Sequence, residues 1–179
     1  MAIFAPVFRT NSTLQKHFMN KILILVRHAQ SAGIQGARPD YDRELTHRGQ
    51  QNAKNLGSWI LQQGFTPDYI LSSSAVRARQ TTELLNEKTG IPASCVQHLN
   101  ELYEGPATRW MDKIHHLPDG TGCAILVGHN PTLSILASDF RGKRLDLPPC
   151  GTMVFAFPFD EWNKIIGPGK ELATFAQQY

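Results

Sequence analysis

A chain of 179 residues is long enough for one domain with a proper core and short for two. Its 41% hydrophobic content is ordinary, and nothing in the composition suggests a disordered, collagen-like or disulfide-stapled chain. A formal charge of +3 with scattered basic residues does not imply a nucleic-acid partner, and none is expected. The three cysteines, Cys95, Cys123 and Cys150, form no C-x-x-C pair; they read as buried or incidental thiols of a reducing compartment, and a cytoplasmic location is expected.

Residues 1–20 hold Arg9 and Lys16 but no acid, no long apolar run and no small-residue cleavage site. They read as a poorly structured extension ahead of a single domain over 21–179, and not as a signal peptide. No stretch approaches the ~18 consecutive apolar residues of a membrane span, so no membrane partner is expected. The run ILILV at 22–26 predicts a strand buried on both faces. A polar loop with Gly33, Gly36 and Pro39 follows. Residues 45–64 then predict a helix with Thr46 as N-cap, Ala53, Leu56, Ile60 and Trp59 toward the core, and Gly64 as its stop.

DYILSSS at 68–74 predicts a second strand. AVRARQTTELLNEKTG at 75–90 predicts a second helix, with Ala78, Thr81, Thr82 and Leu85 on one stripe and Gly90 as stop. A weaker strand is expected near 95–98, a third helix over 108–117 and a buried strand at CAILV, 123–127. Pro131 opens a fourth helix over 131–140, and TMVFAFPF and LATFAQ predict closing strands with antiparallel partners. GPGK at 167–170 lacks the Walker pattern and reads as the turn between them. The alternation predicts an α/β fold, a three-layer α/β/α sandwich around a mainly parallel sheet.

Three predicted strands end in the same chemistry: Arg27-His28 after the first, Arg77 and Arg79 after the second, and His129 after CAILV. Sites in open α/β sheets lie outside the carboxyl ends of strands, so these groups can converge. Adjacent residues of a strand point to opposite faces, so Arg27 and His28 share a pocket only if the chain turns there. Ala29, Ser31 and Gly33 are small enough to allow it. Two arginines and two histidines without a cysteine or acidic cluster favour an anion site over a metal site, because guanidinium presents a planar fork to phosphate oxygens. Neighbouring cations also hold an imidazole neutral and nucleophilic near pH 7. Either histidine could be the nucleophile on these grounds.

LVRHAQS, LTHRGQQNA, LSSSAVRARQT and LVGHNP together resemble the histidine phosphatase superfamily, also called phosphoglycerate-mutase-like. The short chain, without room for a large cap insertion, resembles its SixA-type phosphohistidine phosphatases. The resemblance implies that His28 accepts the phosphoryl group covalently, and that Arg27, Arg77 and His129 bind phosphoryl oxygens. It implies no cofactor and no metal. Leu102-Tyr103-Glu104 fits the segment that carries the family's proton donor, which makes Glu104 the candidate acid, with a solvated surface glutamate as the alternative. Where many relatives have a phosphate-touching asparagine this chain reads AGIQG, and Ser31 or a backbone group is expected in its stead.

Arg79, two helical positions after Arg77, is expected to point about 200° away. Arg43 and Arg48 are assigned to the loop and the helix start. His115-His116 cannot share a metal from adjacent helical positions. The expected activity is dephosphorylation of protein phosphohistidine. The alternatives are a small-molecule phosphomonoesterase and a non-catalytic phospho-ligand module; a mutase is disfavoured by the absence of a bisphosphate specificity loop.

Overall fold

The computed structural model describes residues 21–33 and 39–176. The expected extension at 1–20 and Gly36 of the loop lie outside the described residues. Six strands form one sheet: β1 (Lys21–Arg27), β2 (Tyr69–Ser73), β3 (Val96–Leu99), β4 (Cys123–Gly128), β5 (Thr152–Phe157) and β6 (Lys170–Phe175). Their spatial order is β3-β2-β4-β1-β5-β6. β3, β2, β4 and β1 run parallel, while β5 and β6 are antiparallel additions at one side.

The helices are α1 (His47–Gln62), α2 (Val76–Thr89), α3 (Ala107–His115) and α4 (Thr132–Arg141). Alternate residues of β1 divide the core as the pleat requires. Ile24 and Val26 pack with Ala53, Leu56 and Ile60 of α1 and Ala78 and Leu85 of α2. Leu23 and Leu25 pack on the other side with Trp110 and Ile114 of α3 and Leu133, Leu136 and Phe140 of α4. Two helices on each face of one sheet are the three layers the sequence predicts. Among the described residues no helix is long and apolar enough to cross a membrane.

Local signals in the sequence locate most boundaries. The Thr46 hydroxyl accepts from Gly49 N at 3.0 Å, as an N-cap should. Gly90, at φ +69°, ends α2 in the left-handed conformation that glycine adopts without a Cβ clash. A Cβ on Gly57 would stand 2.4 Å from the Leu85 carbonyl oxygen, so the absence of a side chain lets α1 lie close against α2. Trp59 is only half-buried, against Phe175 of β6 at 5.3 Å between ring centroids.

This order does one thing for function. β2, β4 and β1 are consecutive in the sheet and parallel, so the three strand ends that carry Arg27-His28, the Ser73–Arg77 turn and His129 meet at one edge.

Candidate active site

His28 follows the last residue of β1 and is held from both sides. Its N donates to Gly128 O at 2.9 Å, and its carbonyl accepts from Cys150 N at 3.0 Å. Ala29 N then donates to the Thr81 hydroxyl of α2 at 3.0 Å, and that hydroxyl donates to the Arg77 carbonyl at 2.7 Å. Thr81, read from the sequence as a core-stripe residue, thus ties the turn after β1 to the first turn of α2, where Arg77 lies.

The His28 ring has a defined tautomer. Nδ1 stands 2.8 Å from the Ala29 carbonyl, which can only accept, so Nδ1 carries the proton. Nε2 is left with its lone pair and accepts from Arg77 Nε at 3.2 Å. Burial, reinforced by Arg77, Arg27 and Arg43, brings the His28 pKa down to about 4 against the opposing pull of the Ala29 carbonyl.

His129 faces it across 5.0 Å between ring centroids. Its pKa is lowered to about 3, chiefly by burial and then by His28 and Arg77. Its Nε2 meets the Ser73 hydroxyl at 2.8 Å, while its Nδ1 is buried with no hydrogen-bond partner among the described residues. Both imidazoles are therefore neutral at pH 7.

Arg77 is 5% exposed and Arg79 is exposed, so the two arginines diverge as the helical period predicts. Arg27 Nη1 donates to Leu147 O at 2.7 Å. That carbonyl also accepts from Asn130 Nδ2 at 3.0 Å, which fastens the 146–147 segment beside the site. His115 donates to the Ile165 carbonyl at 2.9 Å, away from His116, which is exposed.

Over these groups lies a cleft of about 400 Å³ lined by Arg77, His129, Asp40, Tyr103 and Glu104, among others. Glu104 is exposed on its rim and makes no hydrogen bond or ion pair among the described residues. Ser31 is drawn into the loop: its hydroxyl accepts from Arg43 Nη2 at 2.9 Å, and its backbone bridges to Leu45.

The sequence reading names Glu104 as the acid of this site and does not single out Asp40. Asp40, in a short 3-10 turn over Asp40–Asp42, reaches directly into the cluster. Arg77 Nη2 donates to its carboxylate at 2.8 Å, Arg77 Nη1 to its backbone carbonyl at 2.6 Å, and Tyr103 Oη to the same carboxylate at 2.7 Å. Arg43, placed from the sequence only in the loop, holds the other carboxylate oxygen at 2.7 Å. These donors, Arg43 foremost, keep the Asp40 carboxyl well below the usual carboxylate range. The available signal was the acid–base i,i+3 pair Asp40/Arg43 just ahead of Thr46. Ser73 and Tyr103 carried none beyond their neighbours in the strand-end and Leu-x-Glu segments.

The sequence and fold match a known class. The model of the histidine phosphatase superfamily (branch 1) matches residues 23–109, spanning β1, the Asp40 turn, Arg77 and Glu104. The uncharacterized protein Rv1276c of Mycobacterium tuberculosis is 36% identical over 112 residues, 63% of this chain and 67% of that protein. The serine/threonine-protein phosphatase Pgam5 of Drosophila grimshawi is 32% identical over 99 residues, 54% of this chain but 34% of that protein. A crystal structure of the putative phosphohistidine phosphatase SixA from Agrobacterium tumefaciens superimposes with a TM-score of 0.75 at 25% identity, covering 88% of this chain and 98% of that one. The chain belongs to the histidine phosphatase superfamily, and its fold is phosphoglycerate-mutase-like.

Proposed function

We propose that the chain is a metal-independent phosphatase that works through phospho-His28, with phosphohistidine in a protein as its substrate. One observation carries the reading. His28 has its proton fixed on Nδ1 and an unprotonated Nε2 against Arg77, in an imidazole that stays neutral at pH 7.

In the first step the Nε2 lone pair forms a bond to phosphorus while the bond from phosphorus to the substrate nitrogen breaks. The departing imidazole takes a proton from solvent as needed. Phospho-His28 then carries positive charge on its ring, which the Ala29 carbonyl stabilises through Nδ1–H. In the second step water bonds to phosphorus, the P–Nε2 electron pair returns to His28, and the water's proton leaves with inorganic phosphate or to solvent. Arg77 and Arg27 meet the charge on the phosphoryl oxygens as fixed cations, the role a metal fills elsewhere.

His129 takes a donor's part. Ser73 Oγ accepts from Ala75 N at 3.3 Å and gives its own proton to His129 Nε2. That arrangement leaves the ring proton on Nδ1, the buried nitrogen without a partner, available to a phosphoryl oxygen.

The choice of phosphohistidine rests on the rim. An imidazole leaving group departs with little acid assistance, whereas an alkoxide needs a proton donor. Glu104 is exposed and unheld, an arrangement suited to a leaving group that needs little assistance. The second reading, a small-molecule phosphomonoesterase, is favoured by the same residue's position in the cleft with Arg77 and His129. Burial pushes the Cys123 and Cys150 thiols up to about 12, so both are inert and take no part in the chemistry.

The direct test offers the purified chain a phosphohistidine peptide and p-nitrophenyl phosphate side by side, with EDTA present. Faster release of phosphate from the peptide, unaffected by EDTA, is expected. A strong preference for an alkyl phosphate, or loss of activity in EDTA, would contradict the substrate or the metal-free chemistry respectively.

A further inference from the structure

We infer that Asp40 is an internal anion that occupies the phosphoryl position on Arg77 and keeps His28 capped until substrate displaces it. The inference rests on the reading of this cleft as a phosphoryl site. Each nitrogen of Arg77 has a partner: Nη2 on the Asp40 carboxylate, Nη1 on the Asp40 carbonyl and Nε on His28 Nε2. An incoming phosphoryl group therefore meets a guanidinium whose three nitrogens already have partners and a nucleophile whose lone pair is covered. His28 does not line the cleft, although Arg77 and His129 do, because Arg77 stands over its lone pair.

The contact has the marks of a built anion site rather than a loose surface pair. Three donors converge on one carboxylate: Arg77, Tyr103 and Arg43. A carboxylate in such a cradle is a close mimic of two phosphoryl oxygens. Tyr103 also lies under the Arg77 guanidinium, 5.7 Å from the ring centroid, and edge-on to His129 at 5.6 Å, so one side chain links Asp40, Arg77 and His129. Arg43 holds Ala32 and Ser31 as well as Asp40, so the turn has an anchor to hold the carboxylate after it leaves Arg77.

A competing internal ligand lowers apparent affinity by the fraction of molecules in which the site is open. Substrates whose phosphoryl group carries two charges displace one carboxylate more readily than singly charged anions do. Asp40 is thus a specificity-determining residue as well as a cap, favouring dianionic phosphoryl groups over the carboxylates and phosphodiesters of ordinary solutes.

The test measures binding of inorganic phosphate by calorimetry to the full chain and to four variants, with thermal melting to confirm folding. Asp40→Asn, which keeps the shape and removes the charge, should tighten phosphate binding about tenfold and lower KM while kcat changes less. Tyr103→Phe, which removes one of the three donors to the carboxylate, should tighten it in the same direction by a smaller factor. Asp42→Asn makes the same charge change in the same turn and should leave phosphate affinity within about twofold. Unchanged or weaker phosphate binding in folded Asp40→Asn would overturn the inference, as would an equal gain in Asp42→Asn, which would mark a general field effect. The phosphoryl-site reading is scored separately: it fails if Arg77→Ala binds phosphate as well as the unmodified chain.

Discussion

The floor and the rim of the cleft are built on different terms. On the floor, His28, Arg77 and His129 are each less than a tenth exposed, and each is fixed by partners from a neighbouring element. On the rim, the Asp40 side chain is 39% exposed and Glu104 stands in solvent. Buried groups with partners on neighbouring elements are positioned by the fold, whereas partly exposed ones such as Asp40 can exchange their partners for a ligand. The chemistry is therefore set at the strand ends, and substrate choice is left to the loops.

The largest effect expected short of losing the nucleophile belongs to the floor. Arg77→Ala should lower turnover by roughly 10²-fold, the scale of removing one preorganised charge-stabilising donor. Arg79→Ala, one exposed side chain away, should stay within about twofold, as surface substitutions do. Equal losses from the two would dissolve the distinction between a fixed cation and a solvated one.

Acid should expose the cost of two neutral buried imidazoles. The native pKa values of about 4 for His28 and about 3 for His129 lie below the unfolded value of 6.5, so the unfolded chain binds more protons between these limits. Stability should fall as pH drops from about 6.5 toward 4, by up to a few kcal/mol for the pair. Asp40, its carboxyl likewise depressed, adds a loss at the lower end as it protonates. Denaturant titrations at pH 7 and pH 5 read the histidine part, and the double variant His28→Gln/His129→Gln should flatten it.

Glu104→Gln tests the rim. A working proton donor there should matter most for alkyl phosphates, less for activated aryl phosphates and least for phosphohistidine. We expect that graded pattern, with phosphohistidine nearly untouched. A uniform loss across the three would move Glu104 from proton donation to phosphate positioning and erase the difference in role between floor and rim.

Ser73→Ala is a smaller and sharper probe of the floor. It frees His129 Nε2, so turnover should drop about threefold to tenfold, the net worth of one hydrogen bond. The accompanying readout is the imidazole itself: the nitrogen chemical shifts of His129 should change from one tautomer to a mixture.

Much of this division was already legible in the sequence. β1, β2 and β4 announced themselves as short buried runs, and α1 and α2 by Thr46, Gly90 and their apolar stripes, because those signals are local. The strand-end residues His28, Arg77 and His129 followed from the rule that parallel strands present their carboxyl ends together. Arg79 was separated from Arg77 by helical period alone. Asp40 was not legible. Its role depends on a 3-10 turn folding back 37 positions in sequence from Arg77, a placement that no periodicity encodes. Ser73 was hidden for a related reason: it is the middle of three serines where β2 ends, and only the fold decides which one faces His129. The link from the Ser31 hydroxyl to Arg43 was equally hidden, since it joins two parts of the loop that no periodicity relates.

The central claim is that His28 Nε2 takes the phosphoryl group. Rapid quenching of turnover without acid, followed by mass spectrometry of the digested chain, should locate phosphate on the His28 imidazole. His28→Ala should abolish that signal, with a loss of turnover of roughly 10³-fold or more. Phosphate trapped on His129 with none on His28 would contradict the account.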